Sequence, residues 1–184
     1  MNKGLIFLGV LVVIGLACFL GYRSIYNNAV TLQEQVTQKW GDVGATYQRR
    51  ADLIPQLVAT VKGAAANEKG ILTAVTDARA GISSAATPEQ MDAAGAKINT
   101  LIKATFEAYP DIKSVANFSD LQAQLEGTEN RINVARQDYN AAVMAYNSHI
   151  RSFFASMFLN AATFPRKDSF KEAAGSEKAP EVKF

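Results

Sequence analysis

The sequence predicts an all-α protein: an antiparallel up-and-down bundle of three to four helices with long first and last helices, preceded by an N-terminal transmembrane helix. Three observations predict it. Residues 4–22 carry no charge and are mostly large and apolar. Beyond them, apolar residues recur every three or four positions over long stretches, the period of one buried helical stripe. Alanine is abundant, β-branched runs are short and Gly/Asn hairpin signals are absent.

The first element runs from Gly4 to Tyr22, between Lys3 and Arg23. As a helix it would be about 28 Å long, close to one bilayer core. A cleaved secretory signal is a second reading. It would have a shorter apolar region ending in small residues, which Gly15 and Ala17 mimic, but Cys18-Phe19-Leu20 carries the apolar run past them. A lipoprotein signal is a third, because Gly15-Leu16-Ala17-Cys18 loosely resembles a lipobox, with its apolar residue one position late. Residues 1–3 form a short flank. Basic residues near each end set orientation. The expectation is a short cytoplasmic N-terminus and an extracytoplasmic body. Gly4, Gly9, Gly15 and Gly21 would permit close helix contacts, although their spacing is not a strict GxxxG.

The bundle is expected over residues 23–164. Its first helix carries Ile25, Ala29, Leu32, Val36, Trp40, Val43, Tyr47, Ala51, Ile54 and Val58 on one stripe. Pro55 removes a backbone donor and predicts a kink. Residues 67–70, ending in Gly70, are either a turn or a weak spot in one long helix, since glycine costs about 1 kcal/mol there against alanine. Thr87-Pro88-Glu89-Gln90 is a sharp start: an N-cap threonine, proline at the first helical position and a glutamine to close a capping box. That helix carries Met91, Ala94, Ile98 and Ile102 and stops at Tyr109-Pro110-Asp111. Ser119-Asp120-Leu121-Gln122 opens the last helix, with Phe118 stapling it. Its stripe runs from Leu121 through Ile132, Tyr139, Val143, Tyr146 and Ile150 to Met157. Residues 165–184 are charged, poor in apolar groups and expected to be a flexible tail. Its last six, Ala179 to Phe184, could add as a strand to a carboxylate-capturing partner, or be an unstructured end.

Composition excludes several classes. Net charge is +2 with both signs interspersed, unlike the clustered basic footprint of a nucleic-acid binder. His149 is the single histidine and Cys18 the single thiol. No Ser/His/Asp triad, Cys/His pair or metal set can be assembled from these, and no phosphate-binding glycine loop is present. Carboxylates lie among basic partners, where they stay ionised. The chain is therefore expected not to be an enzyme and to use no cofactor or metal. His149 is expected to face the surface or the membrane.

Several strings together resemble the LemA family of bacterial membrane-anchored proteins: Tyr26-Asn27, Trp40, Arg49-Arg50-Ala51-Asp52-Leu53-Ile54-Pro55, Tyr109-Pro110-Asp111, Thr128-Glu129-Asn130-Arg131-Ile132, and the pairs Tyr139-Asn140 and Tyr146-Asn147. The resemblance runs from the anchor to about Ile150. It implies an N-terminal membrane helix and a helical bundle, and supplies no established activity. Many members have Phe-Pro after the last Tyr-Asn pair; here Ser152-Phe153-Phe154 stands instead, with Phe164-Pro165 later, so the final helix is expected to run longer.

Two sites follow. With the first and last helices antiparallel, residue 23 falls opposite about residue 158, and Glu129 and Arg131 fall opposite Asp52 and Arg50. This predicts a polar network of Arg49, Arg50, Asp52, Glu129 and Arg131, pairing Arg131 with Asp52 and Glu129 with Arg49 or Arg50. It either fixes register or forms a polar ligand site. At the other end, Phe153, Phe154, Phe158 and Phe164 either pack on the first helix or contact the membrane surface. The functional expectation is a membrane-anchored, self-assembling scaffold of the bacterial inner membrane, held in lipid by its N-terminal helix. Its partners would be copies of itself or another membrane protein, not nucleic acid. A ligand-binding sensory module and a membrane-surface remodelling protein are the alternatives.

Overall fold

A computed structural model describes residues 3–59, 65–108 and 118–171, which are mostly helical with no strand among them. The helices are α1 (Lys3–Ala59), α2 (Ala65–Ser84), α3 (Pro88–Ala108), α4 (Phe118–Ile150) and α5 (Phe153–Phe158). They form two compact units, Met1–Lys39 with Ala141–Lys167, and Trp40–Asn140 with Asp168–Phe184.

α1 is one helix of 57 residues. Nothing breaks it between the apolar run and Ile25, because no proline or turn residue intervenes. It also continues through Pro55 to Ala59. Its first part is long and apolar enough to cross a membrane, and that window is wholly exposed. Farther on, Ala29, Val36, Val43, Tyr47, Ala51, Ile54 and Val58 are buried, spaced by one or two helical turns along one face.

In the second unit, α1 packs with α2, α3 and α4. Gly95 of α3 lies against the Tyr47 ring of α1, and Gly81 of α2 faces Ala94 of α3 at 3.6 Å. The α2–α3 join is short. Thr87 Oγ1 accepts from the Gln90 N–H at 3.3 Å, and Gln90 Oε1 accepts from the Ala86 N–H at 2.8 Å. This satisfies donors that a helix start leaves open. The possible turn at residues 67–70 is not one: those residues lie inside α2, whose start at Ala65 sets the α1–α2 join upstream. Val75, Ala78 and Ile82 bury α2's inner face and offset the cost of Gly70. The predicted stop at Tyr109-Pro110-Asp111 lies outside the described residues, as does the strand-like terminus at 179–184.

In the first unit, α1 pairs with the C-terminal half of α4. The expected unbroken run of the last helix to Met157 is corrected. α4 ends at Ile150 and α5 begins at Phe153, with Ser152 in an extended conformation (φ −63°, ψ 153°). Ser152 ties the break: its N–H and its hydroxyl both donate to the His149 carbonyl, at 3.1 and 2.8 Å. The carbonyl that would continue the helix is thereby consumed.

Candidate functional site

The sequence-predicted network divides when the helices are placed. Arg50 of α1 and Glu129 of α4 come together, with Nη1 2.6 Å from the carboxylate. The same nitrogen donates to the Leu125 carbonyl at 3.1 Å. Asp52 does not meet Arg131. It pairs with Arg79 of α2, a residue outside the predicted set. Arg49 and Arg131 make no ion pair among the described residues; both line a hollow of about 260 Å³ with Leu53, Gln124 and Thr128. The physical reason is rotational. Asp52 lies two residues from Arg50, about 200° around α1, so it faces α2 while Arg50 faces α4.

A larger cavity, about 630 Å³, opens beside the Arg50–Glu129 pair. Ile102, Phe106, Phe118 and Leu125 give it apolar walls, and Arg50, Glu126 and Glu129 give it charge. The Arg50 Nε is buried with no hydrogen-bond partner among the described residues. Phe106 and Phe118 meet edge to face, 5.8 Å apart. Among the described residues no group of three His, Cys, Asp or Glu side chains converges as a metal site would require.

A second charged centre was not singled out from sequence. Arg136 of α4 forks onto Asp92 of α3, at 3.0 Å through Nη1 and 3.4 Å through Nη2. Nη2 also donates to the Lys171 carbonyl at 3.2 Å, and the guanidinium lies 4.7 Å over the Phe170 ring. Partial burial pushes the Asp92 carboxyl above its usual range and outweighs the attraction of Arg136. Burial likewise raises the neighbouring Tyr47 hydroxyl.

Arg136 belongs to a larger device that holds the chain beyond α5. In the first unit, the Tyr146 hydroxyl donates to the Pro165 carbonyl at 3.0 Å. Asn147 clasps Lys167 by both backbone edges, donating to its carbonyl at 2.8 Å and accepting its N–H at 3.0 Å. In the second unit the pattern repeats. Tyr139 donates to the Asp168 carbonyl at 3.0 Å, and Asn140 clasps Phe170 at 3.0 and 2.8 Å. Within each unit, then, one Tyr-Asn pair of α4 holds two backbone positions two residues apart: Pro165 and Lys167 in the first, Asp168 and Phe170 in the second. Phe170 is buried, stacked on Trp40 and edge-on to Tyr139. Residues 165–171 are therefore not the flexible tail expected from their charge. Their backbone is hydrogen-bonded and their one aromatic is buried. The legible sign was the repeated Tyr-Asn pair together with a lone phenylalanine in a polar segment.

The aromatic end also divides. Phe164 is buried against Tyr26, ring centroids 5.3 Å apart. Phe158 meets the Tyr22 ring edge to face at 6.1 Å and stays half-exposed, while Phe153 and Phe154 are exposed. His149, expected at the surface, bridges two helices instead. Its Nε2–H donates to the Ile25 carbonyl at 3.0 Å, and its Nδ1 faces the Asn28 amide nitrogen at 3.3 Å. A carbonyl can only accept, so the Ile25 contact places a proton on Nε2.

Comparison with known proteins adds relatives. The profile of the LemA family matches residues 39–184. Two proteins of Paramagnetospirillum magneticum, magnetosome protein MamQ 1 and magnetosome protein MamQ 2, are each 28% identical over 176 residues, covering 80% of this chain and 65% of theirs. The chain thus spans just under two thirds of the length of these curated relatives.

Proposed function

The chain belongs to the LemA family, and from that premise we propose that it is a non-catalytic, self-assembling scaffold anchored in the bacterial inner membrane by a single pass, with its body outside the cytoplasm. The observation that carries the reading is the continuity of α1. One helix joins an exposed apolar span to the buried stripe of the bundle. A flexible tether between span and body would be Gly/Ser-rich. Here bundle and span share a helix, which suits an element that fixes position at a membrane. The ring of His149 is occupied in holding α4 to α1. Crosslinking of the full chain in its native membrane, read by mass spectrometry, tests the reading. Crosslinks joining identical peptides from two copies are expected. A chain that stays monomeric and joins no membrane protein would refute it.

A second reading, a ligand-binding sensory module, is favoured by the cavity beside Arg50 and the unpartnered Nε within it. It predicts a ligand-dependent rise in melting temperature that Arg50→Ala abolishes.

A further inference from the structure

We propose that α5 is a second, shallow membrane contact, which inserts Phe153, Phe154 and Met157 into the leaflet where α1 leaves the bilayer. The inference rests on the reading of α1 as a membrane span and extends it to a surface that reading does not use.

The geometry within the first unit is specific. α5 has six residues. At about 100° per residue, Phe153, Met157, Phe154 and Phe158 fan over roughly 140° of its surface. Ala155, on the opposite side, is fully buried, which seats the helix on its neighbours. The fan points away from the protein: Phe153 is 73% exposed, Phe154 64% and Met157 65%. Three large apolar side chains in five residues, each mostly exposed among the described residues, form a concentrated patch.

Its level is fixed by Phe158. That ring lies 6.1 Å from Tyr22, the last residue of the uncharged run, and Arg23 is the first charge after it. Tyrosines at such a position sit at the headgroup level. Tyr26 and the buried Phe164 continue the aromatic contact just beyond. α5 therefore lies where the apolar span ends, at the depth of an interfacial helix.

Charge distinguishes lipid from a second copy of the chain. Between Arg23 and Lys39 and between Ala141 and Lys167 the only acid is Glu34, against Arg23, Lys39, Arg151, Arg166 and Lys167. Arg23, Arg151 and Arg166 are exposed. Such a basic end is attracted to anionic headgroups and repelled by its own duplicate. The sequence-level candidates are thereby revised: Phe164 is a packing residue, and Met157 joins Phe153 and Phe154 as a lipid contact.

The test uses the full chain in vesicles of phosphatidylcholine and phosphatidylglycerol. A nitroxide is placed at Met157→Cys or Phe154→Cys in a Cys18→Ala background, and in parallel on the native Cys18. Collision with oxygen is compared with collision with a water-soluble nickel chelate. The expected result is loss of chelate accessibility at 154 and 157 relative to an exposed bundle site, Ser84→Cys, with 18 protected as well. Labels at 154 and 157 as open to the chelate as 84, while 18 is protected, overturn the proposal and leave the anchor reading standing. A label at 18 open to the chelate overturns both. Protection at 154 and 157 that comes with spin–spin broadening, growing with protein density, assigns the face to a second copy and also overturns the proposal.

Discussion

Asn140 of α4 holds Phe170 by both edges of its backbone, its amide nitrogen 3.0 Å from the carbonyl and its amide oxygen 2.8 Å from the N–H. No other natural side chain except glutamine offers a donor and an acceptor in that fork. Asn140→Ala should therefore free the strap and cost about 1–3 kcal/mol, since two partly buried backbone groups lose partners. Hydrogen exchange at the Phe170 amide should accelerate sharply. Asn140→Asp keeps the acceptor, loses the donor and should fall between.

Glycine substitutions should separate by position. A Cβ on Gly95 would overlap Tyr47 Cε1 and stand 3.1 Å from Cζ. Tyr47 is 5% exposed and has no room to swing away. Gly95→Ala should destabilise by about 1–3 kcal/mol, as overpacked cores do. Gly70, inside α2, meets nothing within 4 Å. Gly70→Ala should stabilise by roughly 0.5–1 kcal/mol through helix propensity. Thermal midpoints in detergent should move in opposite directions.

The Arg50–Glu129 pair is asymmetric. The Arg50 side chain is 12% exposed and Glu129 46%. Glu129→Gln leaves Arg50 still donating to Leu125, and solvent already screens the carboxylate, so the expected cost is below about 1 kcal/mol. Arg50→Ala strips the Leu125 bond and the ion pair together and should cost about 1–3 kcal/mol. Equal losses in denaturant titrations of the two variants would contradict this geometry.

Two carboxylates on α3 should respond to acid with opposite signs. Glu89 is held below its usual value of 4.5 by a backbone N–H in the first turn and by Lys171. The unfolded chain binds that proton more readily, so this stabilisation is present above about pH 4.5 and is lost as pH falls. Asp92 is raised above 3.8 by burial, so its contribution is complete below that value and is lost as pH rises. From pH 7 down to pH 3, Glu89→Gln should lose less stability than the parent, and Asp92→Asn more. Melting curves across that range check both.

Much of the fold is legible in the residues because it depends on local period. The spacing of Ala29, Val36, Val43 and Ile54 selects the buried face of α1 whatever packs on it, and the threonine and glutamine around Pro88 mark a helix start through bonds three or four residues long. The break at Ser152 was less legible. It depends on His149, whose ring is tied to Ile25 more than a hundred residues away.

Sequence alone determined the helical class, the uncharged span at residues 4–22, the long first and last helices and their family resemblance. Each follows from hydrophobic period, run length or short-range caps, which act within a few residues. Tertiary structure alone decided that Asp52 pairs with Arg79 instead of Arg131, and that residues 165–171 are strapped down by Tyr139, Asn140, Tyr146 and Asn147. It also decided that Phe164 is buried while Phe153 and Phe154 are exposed. Polar partners are chosen by rotation and distance across a helix interface, and those quantities exist only once the helices have packed.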